Sequence, residues 1–109
     1  MKNKDYHELL ILRNINENTS QPILAKQVGF SIGKVNFIIK ALVEKGFLKC
    51  DRFVSSEHKM KYTYLLTDDG IREKMLLTKK FITRKKSEYE ELQREYETDV
   101  AKWGECTNA

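Results

Sequence analysis

Met75, Ile82, Tyr89, Tyr96 and Trp103 recur at intervals of seven along a stretch that no proline interrupts. One apolar or aromatic residue per heptad in such a run predicts a single long helix. Thr67 is placed to cap it, and Asp68 and Asp69 fall in its first turn, where negative charge favours a helix start. Over about 35 residues at 1.5 Å each, the helix would be roughly 50 Å long. A chain of 109 residues has too small a body to cover that length, so part of the helix must protrude or pair. The companion row, Ile71, Thr78, Lys85, Leu92 and Asp99, is only partly apolar, which makes a coiled-coil seam of modest quality. Met75, Ile82, Tyr89, Leu92, Tyr96 and Trp103 are the candidate dimerisation residues. The competing account is a single helix laid back on its own domain.

The rest of the chain must supply the body. Leu9, Leu10, Leu12 and Ile15 lie in a helical pattern from about Asp5 to Asn16, which "NENTSQ" breaks. Ser20 can cap a second, short helix with Pro22 in a tolerated early position and Ile23, Leu24 and Val28 as its apolar stripe. Gly29 ends it in the left-handed conformation that glycine adopts readily. Ser31 then caps "IGKVNFIIKAL", whose core face is Val35, Ile38, Ile39, Leu42 and Val43. A short helix, a glycine turn and a longer helix form the pattern of a helix-turn-helix, in which the second member enters the DNA major groove.

That second member carries two oddities. Gly33 weakens the helix by about 1 kcal/mol relative to alanine, and Phe37 stands on the face opposite the core. A helix lying in a major groove explains both. Gly33 permits close approach to the sugar-phosphate backbone, and Lys34 and Lys40 meet phosphates or guanine edges. Asn36 can pair with adenine, Phe37 can touch a thymine methyl, and Ser31 can offer a phosphate contact. The rival account has Phe37 packing on the hairpin or on a neighbouring chain, with Gly33 merely relieving crowding in the turn.

After Gly46, "FLKCDRFV" and "YTYLLT" are rich in β-branched and aromatic residues and flank the polar tip "SSEHKMK". They predict a hairpin whose tip supplies Arg52, His58, Lys59 and Lys61, a set suited to phosphate. Helix, helix, recognition helix and hairpin is the order of a winged helix-turn-helix.

Charge follows the same division. Residues 26–61 carry eight basic and three acidic side chains, residues 62–86 seven and three, and residues 87–109 two and seven, within a net charge of +4. A basic middle suits a polyanion, and an acidic tail implies a different task. Cys50 and Cys106 form no CxxC pair, and with only His7 and His58 besides, neither a metal site nor a cofactor is expected. Two ordinary thiols fit a reducing cytoplasm. The apolar run Leu9 to Leu12 is too short for a signal peptide, and no stretch approaches the ~20 residues that span a bilayer. No nucleophile, base and orienting group stand together, so no enzymatic activity is expected.

"GKVNF" at 33–37, "KAL" at 40–42, "EKGF" at 44–47, "YLLT" at 64–67, Gly70, "RK" at 84–85 and "EYEEL" at 88–92 resemble the small bacterial winged-helix proteins known as exopolysaccharide-associated MarR-family transcriptional regulators. The likeness runs from about Glu8 to Glu97. It implies a cytoplasmic regulator of exopolysaccharide-related genes that binds duplex DNA. One departure from larger MarR proteins is that a single helix follows the wing, whereas their ligand crevice is built partly from extra helices.

The sequence thus predicts a mainly α fold with a small β-hairpin. Residues 1–67 form a winged helix-turn-helix body, 68–103 a dimerisation helix and 104–109 a flexible tail. The expected function is regulation of transcription by a homodimer on double-stranded DNA, away from the membrane, with any small-molecule effector unspecified. The alternative is a protein-interaction adaptor in which Phe37 anchors a partner.

Overall fold

The computed structural model describes residues 3–16, 19–54, 57–58 and 60–105, and for residues 53, 60 and 61 the backbone alone. The elements are α1 (Asn3–Asn14), α2 (Gln21–Val28), α3 (Ile32–Glu44), β1 (Leu48–Val54), β2 (Met60–Leu66) and α4 (Asp68–Trp103). Mainly helical, with one two-stranded antiparallel hairpin, the chain has the winged helix-turn-helix order.

Local chemistry sets most of the boundaries. The hydroxyls of Ser20, Ser31 and Thr67 accept from the backbone N–H of Ile23, Lys34 and Gly70, satisfying groups that each helix start would otherwise leave bare. Gly29 closes α2 at φ 78°, donating to the carbonyl of Ala25. The first helix begins and ends two residues earlier than its pattern suggests. Asn14 closes it by donating from Nδ2 to the Leu10 carbonyl at 2.7 Å, which leaves Ile15 buried just beyond the end.

The core joins every element. Leu9, Ile11 and Leu12 of α1 meet Leu24 and Ala25 of α2, and Val35, Ile38, Ile39 and Leu42 of α3. Leu48 and Tyr64 of the hairpin and Leu77 of α4 complete it. Two residues expected in the core are outside it. Ile23 is 50% exposed because α2 has only two turns and packs through Leu24 and Ala25. Val43 lies at the margin of the α3 face, in the last turn, and is also exposed. Glu8, almost fully buried, is neutralised by Lys45 at 2.9 Å, which ties α1 to the C-terminal end of α3.

In the hairpin Leu48 pairs with Leu66 and Val54 with Met60. The second strand therefore starts two residues before the expected Tyr62, drawing Met60 and Lys61 into the ladder. At its base α4 is locked to the α3–β1 connection. Thr67 donates from its N–H to the Phe47 carbonyl at 3.1 Å and from its hydroxyl to the Gly46 carbonyl at 2.6 Å. A Cβ at Gly70 would collide with that same Phe47 carbonyl, so this turn approaches as closely as only glycine allows.

Beyond that base α4 leaves the body. Leu77 is buried, and Phe81 packs on the core and stacks on Tyr6 with ring centroids 5.2 Å apart. From Ile82 to Asp99 every side chain is exposed. A compact chain of this length would have a radius of gyration of about 13 Å. The observed value is 19.7 Å, with extents of 68 × 29 × 19 Å.

Candidate nucleic-acid interface

Burial of Val35, Ile38, Ile39 and Leu42 fixes the rotation of α3, and so decides which of its residues face water. Ser31, Gly33, Lys34, Phe37 and Lys40 are all exposed. Phe37 is 75% exposed and therefore does not pack on the hairpin of its own chain. A Cβ built on Gly33 would meet nothing within 4 Å. Crowding inside the chain therefore gives no reason for glycine there. Lys34 is partly engaged: its Nζ lies over the Phe30 ring, 4.2 Å from the centroid, which holds the cation beside the helix start.

Asn36 differs from the others. It is half-buried on the flank of α3, and its Oδ1 accepts from Gln21 Nε2 at 3.2 Å. The same nitrogen donates to the Tyr64 hydroxyl at 3.0 Å. One amide, with two protons to give, thus joins the start of α2, the candidate recognition helix and the second strand of the hairpin. Burial pushes the Tyr64 hydroxyl above its ordinary value, so the phenol is held protonated.

Arg52 sits within β1 opposite Tyr62, and Lys61 pairs through its backbone with Phe53, so both belong to the strands and not to the tip. Alternation puts Arg52 and Tyr62 on the same sheet face as Tyr64, two residues further toward the tip, and both are exposed. His58 is exposed with φ 61°. Lys59 lies outside the described residues, as does Cys106, and Cys50 is an exposed free thiol. Among the described residues there is no cluster of His, Cys, Asp and Glu able to hold a metal, and no helix is long and apolar enough to cross a membrane.

Gln21, Ile32 and Tyr62 escape a reading of the sequence. Gln21 looks like an ordinary first-turn residue, and its partners lie 15 and 43 positions away, where no local pattern can show them. Ile32 is 53% exposed one turn before Asn36, although its spacing would admit it to the core face. On α4, Met75, Ile82, Tyr89, Leu92, Tyr96 and Trp103 are all more than half exposed and lie along one side. Val100, one turn from Tyr96, extends that side.

Residues 4–49 match a family model described as winged helix-turn-helix DNA-binding. No curated protein matches the chain. Among solved structures the chain is similar to MepR, a transcription regulator of the Staphylococcus aureus multidrug efflux pump MepA. The identity is 19% and the TM-score 0.58, over 94% of this chain and 76% of that one. A complex of S. aureus MepR with DNA gives 19% identity and a TM-score of 0.57, over 94% and 75%. ZitR of Lactococcus lactis, in complex with DNA, gives 16% and 0.60 over 88% of this chain and 62% of that one. Another ZitR structure, described as a zinc-responsive MarR family member, gives 22% and 0.57 over 88% and 63%. What is shared at these identities is the fold, and the chain is thus a winged helix-turn-helix with the architecture of MepR and ZitR.

Proposed function

We propose that this chain is a sequence-specific, double-stranded DNA-binding transcriptional regulator of the MarR type, acting as a homodimer joined through α4. The exposed face of α3 carries the proposal. Its one aromatic residue is bare, its glycine has no packing reason, and its two lysines are exposed. Residues that protein packing leaves unexplained are explained by a duplex in contact with that face. Lys34 and Lys40 meet phosphates or guanine edges, while Asn36, Phe37 and the newly found Ile32 approach base edges. Ser31 and Gly33 bring the helix start near the backbone. Arg52, His58, Lys59 and Lys61 of the wing contact phosphates alongside. The DNA-bound structures of MepR and ZitR, which share the fold, support this reading.

The body, residues 1–67, is the DNA-binding unit, 68–103 the dimerisation helix, and 104–109 a tail. The exposed row on α4 supports pairing, since a single helix with that many bare apolar residues is poorly placed in water. Location in a bacterial cytoplasm and control of exopolysaccharide-related genes follow from the sequence resemblance. No catalytic activity is assigned.

The test is selection of bound duplexes from a random pool. Enrichment of an inverted repeat with half-sites about 34 Å apart, or a multiple of that, is expected. A pool that stays random, together with salt-insensitive capture of a protein partner lost in Phe37→Ala, would establish the adaptor reading instead.

A further inference from the structure

The free half of α4 carries its charge in two blocks. Lys79, Lys80, Arg84, Lys85 and Lys86 crowd the stretch leaving the body, and Glu88, Glu90, Glu91, Glu95, Glu97 and Asp99 crowd the stretch beyond, with Arg94 the one base among them. Arg84 and Lys85 reach Glu88 within the helix, at 3.1 and 3.8 Å. Such exposed pairs contribute little. Past Glu88, no ion pair engages these carboxylates among the described residues.

We infer that two copies of α4 pair antiparallel, with the two-fold axis near Tyr89, so that the basic block of each helix lies beside the acidic block of the other. This deepens the homodimer reading above and rests on it. Tyr89 is the midpoint of the exposed row. Reversal about it brings Ile82 level with Tyr96 of the second copy and Met75 level with Trp103, so the apolar row still meets an apolar row. It also brings Lys79 level with Asp99.

A parallel, in-register pair fails on the same residues. Every seam position then meets its own copy, so Lys85 faces Lys85 and Asp99 faces Asp99 across the seam. The flanking positions fare no better: Lys74 falls opposite Lys79, and each charge block runs along its like. Like charges at close range disfavour that arrangement along the whole of both blocks, whereas the antiparallel one lays each block as a whole along its opposite and leaves only Arg84 level with Arg94 and Glu88 level with Glu90 as like pairs. The two winged bodies then sit at opposite ends of the pair, each followed by its own basic stretch.

Double electron-electron resonance on the full chain tests the orientation. Ala101 is exposed on the far side of α4, so a nitroxide on Ala101→Cys, with Cys50→Ser and Cys106→Ser, leaves the seam intact. At 1.5 Å per residue, the antiparallel pair separates the two labels by about 36 Å along the axis, and by about 40 Å once the width of the pair is included. A parallel pair keeps them within about 20 Å, since paired helix axes lie 8–10 Å apart. Sedimentation of the same sample reads the association separately. A dimer with a distance of about 40 Å supports the inference. A dimer with the short distance overturns the orientation and leaves the homodimer standing. A monomer without dipolar coupling overturns the homodimer and the orientation with it.

Discussion

Gln21, at the first position of α2, holds Asn36 of α3 by a 3.2 Å hydrogen bond from its Nε2 to the Asn36 Oδ1. The bond occupies one acceptor site on Asn36 and leaves the Asn36 amide protons and a second lone pair for a base edge. On the proposed reading Gln21 acts on recognition by orienting another residue, and its bond to Tyr64 couples that orientation to the wing.

Removing this clamp should have a selective effect. Gln21→Ala frees Asn36 and should weaken binding to the preferred site by about 0.5–1.5 kcal/mol, the net worth of an ordinary hydrogen bond. Binding to random duplex should stay the same. Titrations on both duplexes check this, and equal losses on the two would mean that Gln21 merely supports the fold.

Two glycines on helices should respond to alanine in opposite ways. Gly33→Ala meets open space and improves helix propensity, so thermal unfolding should show about 1 kcal/mol of added stability. Its duplex affinity should fall if the backbone approaches DNA there. Gly70→Ala drives a methyl into the Phe47 carbonyl and should lose about 1–3 kcal/mol despite the better propensity. Equal melting temperatures for the two variants would contradict this packing of α4.

Tyr89 and Leu92 lie past the last body contact at Phe81, both exposed. Changing both to glutamate sets two carboxylates against each other at position 89, removes the apolar contact of Leu92 and leaves the body folded. The variant should sediment as a monomer with an unchanged hairpin and core. It should lose far more affinity for a full operator than for a half-site, because linked half-sites bind at high effective concentration. A variant that stays dimeric would remove these residues from the interface.

Much of the architecture is legible in the chain because its signals are local. Ser20, Ser31 and Thr67 each cap a helix within three residues of themselves, and Gly29 ends α2 with its own backbone. The length of α4 follows from an uninterrupted stretch. What escapes is set by residues far apart in sequence. The collision that reserves Gly70 involves Phe47, and the clamp on Asn36 comes from Gln21. The exposure of Ile23 depends on how few turns α2 has to bury, which spacing alone does not reveal. Arg52 and Lys61 look like tip residues only if the ladder is taken to stop at Tyr62, whereas it reaches Met60.

The most direct measurement of the central claim is the salt dependence of duplex affinity for the parent chain and for Lys34→Ala and Lys40→Ala. Binding through α3 and the wing displaces condensed counterions, so the logarithm of affinity should fall steeply and linearly with the logarithm of salt. Each lysine that meets a phosphate should reduce that slope by about one unit when replaced. An affinity indifferent to salt, or a slope and affinity unchanged in both variants, would contradict a DNA-binding role for this face of α3.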